Sequence, residues 1–97
     1  MRHPYTMNQF KVLRAAFRGC ATKANIENAG ARTRALNEMV KERLVQRAVE
    51  GCTLTHEGLI AYVDMCERRD ADSGCLAYAL NAEEARKALA AYETNDA

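Results

Sequence analysis

Residues that start and stop helices divide this chain into short pieces, and that punctuation limits its fold more than any other feature. Thr6-Met7-Asn8-Gln9 has the form of a capping box: the Thr6 hydroxyl accepts from the third helical amide, and Gln9 reaches back to the amide of the cap. Tyr5 and Phe10 flank the box as a hydrophobic staple. Phe10, Leu13 and Phe17 recur at i, i+3 and i+7, Lys11, Arg14 and Arg18 take other faces, and Gly19 stops the run. Thr22 and Gly30 bracket a second piece of about two turns, predicted as a short helix that needs a neighbour to stand. Ile26 is its only large apolar residue. A third helix is predicted over about residues 31–43, with Ala35, Leu36, Met39 and Val40 as its apolar stripe. At roughly 100° per residue, Arg34, Asn37, Glu38 and Lys41 fall on the opposite side.

The second half reads differently. Leu44 to Arg47 and Cys52 to Thr55 are short segments with β-branched or apolar members, joined through Val49-Glu50-Gly51, and they predict a small antiparallel hairpin. Thr55 caps the next helix, with Leu59, Ile60, Val63 and Cys66 facing inward. The polar stretch from Arg68 to Gly74 predicts a loop, and Leu76, Tyr78 and Leu80, alternating with alanines, suggest a strand. Asn81-Ala82-Glu83-Glu84 is a further cap signal, opening a helix with Ala85, Leu89 and Tyr92 on one face. At 97 residues the chain has room for one core. The expected organisation is a single α+β domain, mostly helical: a core over residues 1–67, and a loop plus C-terminal helix over 68–97.

Composition excludes several classes. With 48% hydrophobic and 28% charged residues the chain is neither disordered nor collagen-like. No apolar run approaches the roughly 18 residues of a membrane span, and the N-terminus has no signal-peptide core, so a cytoplasmic protein with no membrane partner is expected. Cys20, Cys52, Cys66 and Cys75 form no C-x-x-C pair and read as free thiols. No metal or cofactor is predicted, and no enzyme. Ser73 is the sole serine, in a loop without a nucleophile motif. A Cys52–His56 thiolate pair is conceivable, against the plainer reading of Cys52 as a core residue and His56 as an exposed first-turn residue. Oxidant sensing by Cys66, near Arg68 and Arg69, or by Cys75 is a further option. Charge is uneven: residues 1–60 hold ten Lys or Arg against five Asp or Glu, and residues 61–97 hold four against eight. That division suits an anionic partner for the first part, or is the chance scatter of a small domain.

Taken in order, helix, short helix, glycine turn, amphipathic helix, hairpin and helix resemble the winged helix-turn-helix domain of bacterial regulators of the MarR and PadR kind, over about residues 6–66. The run Thr33-Arg34-Ala35-Leu36-Asn37-Glu38-Met39-Val40-Lys41-Glu42-Arg43-Leu44-Val45-Gln46-Arg47 is similar to the family's recognition helix and the strand after it. Leu54-Thr55-His56-Glu57-Gly58 looks like the segment that ends the wing and opens the next helix. Arg43 stands where the family usually has glycine, and the wing is short.

The resemblance implies a small, dimeric DNA-binding transcriptional regulator whose third helix reads the major groove. Arg34 then suits guanine and Asn37 adenine, while Thr22, Lys23, Thr33, Lys41 and Arg47 hold phosphates. Glu38 opposes this unless it accepts from a cytosine amine. The alternative is a winged-helix module encoded by a phage or mobile element, binding and inhibiting a host or defence protein complex rather than DNA. The polar face of the third helix is also compatible with plain solvation, as on most surface helices. The C-terminal helix has two readings, closure of the domain's own core over the first helix or a two-fold dimer contact.

Overall fold

The computed structural model describes residues 5–48 and 51–95. Four helices and a two-stranded hairpin make an α+β fold that is mostly helical: α1 (Met7–Phe17), a 3₁₀ turn (Ala21–Lys23), α2 (Ala29–Lys41), β1 (Val45–Ala48), β2 (Gly51–Leu54), α3 (His56–Ser73) and α4 (Leu76–Asn95). The capping box forms as read. Gln9 N–H donates to Thr6 Oγ1 at 3.2 Å, and Thr6 N–H donates to Gln9 Oε1 at 2.9 Å. The strands are antiparallel with Val45 opposite Leu54 and Arg47 opposite Cys52. Val49 and Glu50 of the expected turn lie outside the described residues.

The short helix expected between Thr22 and Gly30 does not form. One 3₁₀ turn ends at Lys23, and after it burial alternates: Ala24 and Ile26 are buried, Asn25 and Glu27 exposed. The chain bends there instead of coiling, and Ile26 N–H donates to Ala24 C=O at 2.8 Å across a tight turn. Asn28 then starts α2 by accepting from Ala31 N–H at 2.9 Å, so Gly30 lies inside the first turn of α2 rather than ending a helix.

The C-terminal third departs further from expectation. Residues 68–73 continue α3, because the polar side chains are satisfied on the helix itself: Arg68 pairs with Asp64 at 2.8 Å, and Ser73 Oγ donates to the backbone C=O of Arg69 at 2.9 Å. Position 67–68 is therefore mid-helix. Gly74, at φ +63°, ends α3 in the left-handed conformation, with its N–H on Asp70 C=O. The suspected strand over 76–80 is the start of α4, and Asn81 lies within that helix.

The core is aromatic at its centre. Phe10 stacks on Tyr62 at 5.9 Å between centroids, Phe17 approaches Tyr62 at 5.0 Å and Tyr78 approaches Phe10 at 6.3 Å, which joins α1, α3 and α4. Tyr62 rather than Ile60 faces inward on α3; Ile60 is 47% exposed. Ala82 and Ala85 are 0% exposed, and these small residues let α4 lie close along α3. The alanines of α4 thus close the chain's own core, and they do so mainly over α3, with α1 reached through Tyr78.

Candidate functional site

The outward face of α2 is built by its own periodicity. Ala35, Leu36 and Met39 are buried, which turns Thr33, Arg34, Asn37, Glu38 and Lys41 to solvent as one stripe. The hairpin follows at once and places Arg47 beside this stripe: Arg47 Nη2 donates to Asn37 Oδ1 at 3.5 Å. From the other side, Gln9 Nε2 on α1 donates to Glu38 Oε2 at 3.1 Å. Gln9 carries no charge, so it orients the carboxylate without neutralising it.

Six of the eight residues singled out in the sequence therefore share this face: Thr33, Arg34, Asn37, Glu38, Lys41 and Arg47. Thr22 and Lys23 are placed otherwise. They stand on the 3₁₀ turn, where Thr22 Oγ1 lies 3.0 Å from Cys20 Sγ and Lys23 lines a groove against α1. Among the described residues no hydrogen bond or ion pair joins either to the α2 stripe.

The join between α2 and α3 fixes how hairpin and stripe meet. Thr55 caps α3 by accepting from Gly58 N–H at 3.0 Å, donates its hydroxyl to Arg43 C=O at 2.6 Å and donates its N–H to Leu44 C=O at 3.0 Å. Gly58 lies against Leu44 so closely that a methyl group on it would overlap the Leu44 carbonyl oxygen. One threonine and one glycine thus pin the end of α2, the hairpin and the start of α3. Arg43, at φ +63°, turns the chain out of α2.

Sequence reasoning missed a basic groove of about 200 Å³ lined by Lys11, Arg14, Ala15, Arg18, Cys20, Lys23 and Asn25. The signal was present in Lys11, Arg14 and Arg18, which fall on one side of α1; the approach of Lys23 depends on the tertiary fold. The Thr22 hydroxyl beside Sγ holds the Cys20 thiol below its ordinary range, and Lys23 adds to the effect.

Of the remaining thiols, Cys52 and Cys66 are buried and Cys75 is exposed. Cys66 is buried, and burial pushes its thiol up to about 11, which opposes the suggested sensor role. Cys52 is 3% exposed in the core, and His56 stacks on Tyr92 at 4.8 Å. Among the described residues no three His, Cys, Asp or Glu side chains gather as metal ligands. No described helix is long and apolar enough to cross a membrane. Comparison with family models, curated proteins and solved structures finds no match.

Proposed function

We propose that this chain is a small DNA-binding regulator of winged-helix type, with α2 lying in the major groove and the hairpin beside it as a short wing. The reading rests on one observation: Arg47 of β1 is hydrogen-bonded to Asn37, which makes the α2 stripe and the hairpin cation a single exposed face. Three cations, Arg34, Lys41 and Arg47, stand on it against the one carboxylate of Glu38. Arg34 has the fork geometry for a guanine edge, and Thr33, Lys41 and Arg47 hold phosphates. Asn37 gives its carbonyl to Arg47 and keeps its amide donors for a base. Reading two half-sites about one helical turn apart requires a dimer. Leu76 and Leu80, 71% and 55% exposed on α4, are the apolar contacts for it.

Fluorescence anisotropy of a labelled mixed-sequence duplex tests the proposal. Binding is expected at low salt, weakening steeply toward physiological salt and vanishing in the Arg34→Ala/Lys41→Ala variant. Absence of binding at low salt overturns it. The Glu38 carboxylate, held by Gln9 at the α1 edge of the face, favours a second reading in which the partner is a protein with a complementary cation. The two separate on Glu38→Lys, which tightens duplex binding under the first reading and weakens the protein complex under the second.

A further inference from the structure

The groove between α1 and the 3₁₀ turn is an unusual place for charge. Lys11, Arg14 and Arg18 line it from successive turns of α1, Lys23 closes it from the 3₁₀ turn, and no carboxylate lines it. Among the described residues none of the four forms an ion pair; Arg14 lies over the Phe10 ring, 5.6 Å from its guanidinium carbon to the centroid. Four cations thus line one concavity with no carboxylate among them. Asn25 and the Cys20 thiol add polar groups on the same wall. On α1 the three cations lie roughly 140–200° around the helix from Gln9, whose side chain holds Glu38 of the α2 stripe. The groove therefore faces away from the surface proposed to meet the duplex.

We propose that this groove is a binding site for a phosphate group. Every charged side chain around it is a donor, and two are guanidiniums suited to paired hydrogen bonds with phosphate oxygens. Its volume of about 200 Å³ is below the roughly 300–1,000 Å³ of pockets that enclose a whole small molecule. It admits a phosphate or pyrophosphate group and leaves the rest of the ligand outside. The inference does not depend on the α2 reading.

The test is titration of the ¹⁵N-labelled full chain with inorganic pyrophosphate, followed by amide shifts. Amides of Lys11, Arg14, Arg18, Cys20, Lys23 and Asn25 are expected to move together and saturate, while those of Thr33, Arg34 and Asn37 stay still. Pyrophosphate is also expected to slow alkylation of Cys20. Arg18→Gln/Lys23→Gln, at two exposed positions, should weaken pyrophosphate at least tenfold without lowering the melting temperature, and Lys11→Gln serves as an independent second variant. A parallel titration with a short duplex separates the sources. Pyrophosphate that still binds under saturating duplex identifies a free phosphorylated ligand; groove shifts caused by the duplex and reversed by pyrophosphate identify a nucleic-acid phosphate. Shifts that spread over the surface without saturating, or affinity unchanged in the variants, overturn the proposal.

Discussion

Arg43 carries a side chain at φ +63°, where the Cβ crowds the backbone at a cost of roughly 1–2 kcal/mol. Glycine removes that crowding and returns roughly 0.5–1 kcal/mol of it as unfolded-state entropy. Arg43→Gly is therefore expected to stabilise the fold slightly, by up to about 1 kcal/mol, seen as a rise in the denaturation midpoint. Gly58 is the opposite case. Its Cβ would stand 2.8 Å from the Leu44 carbonyl carbon and closer still to the oxygen, both backbone atoms that cannot turn aside. Gly58→Ala should cost about 1–3 kcal/mol or more and loosen the hairpin, measured by urea unfolding and by amide exchange at Thr55. Both positions lay in plain view in the sequence, and Gly58 stood in a run that resembles a known motif. Its physical reason, contact with a carbonyl fourteen positions away, is tertiary. Cys20 is a third residue whose chemistry depends on its neighbour. Because its thiol titrates below the ordinary range, alkylation should persist to lower pH than for an unperturbed cysteine. Thr22→Val, which removes the hydroxyl beside Sγ, should move that pH profile upward.

Elements were legible where cap and periodicity agreed. Thr6, Phe10, Leu13 and Phe17 specify α1, and Ala35, Leu36 and Met39 specify the buried side of α2, because burial on a helix selects a 3.6-residue repeat whatever the partner. The segment between them failed for a physical reason. With Ile26 as its only large apolar side chain, a helix there gains little from burial, and Asn28 does more by capping α2. Asn28→Ala should therefore destabilise the protein by about 1 kcal/mol and fray the first turn of α2, readable as faster exchange at Ala31 and Arg32. The polar stretch at 68–73 misled in the other direction. Charge suggested a loop, yet charges four apart on a helix pair with one another, and Arg69 lies 4.5 Å from the Phe10 ring centroid. Leu76, Tyr78 and Leu80 satisfied a two-residue period and also occur in a helix; Tyr78 against Phe10, with Ala82 and Ala85 on the buried side of α4, decided for the helix.

Across the whole molecule, the aromatic centre of the core lies where α1, α3 and α4 meet around Phe10, Tyr62 and Tyr78. Cys66 lies in the same core with its thiol pushed up to about 11 by burial, and burial raises Tyr62 as well. Both groups hold their protons more tightly folded than unfolded. That contribution is complete below the unfolded thiol's value of about 8.5 and is lost as pH rises toward and through the folded value. The urea midpoint should fall between about pH 9 and 11, and less steeply in Cys66→Ala. If α4 forms the dimer contact, sedimentation equilibrium should give a dimer for the parent chain and a monomer for Leu76→Lys/Leu80→Lys. By itself the sequence determined α1, the buried and exposed sides of α2, the hairpin and the Thr55 cap, since each follows from local caps, glycines and periodicity. Only the tertiary structure decided that 24–28 is non-helical, that α3 and α4 are long and packed together, and that Lys23 closes a groove with Lys11, Arg14 and Arg18. Those outcomes depend on which surface each segment meets, and that is set by side chains distant along the chain.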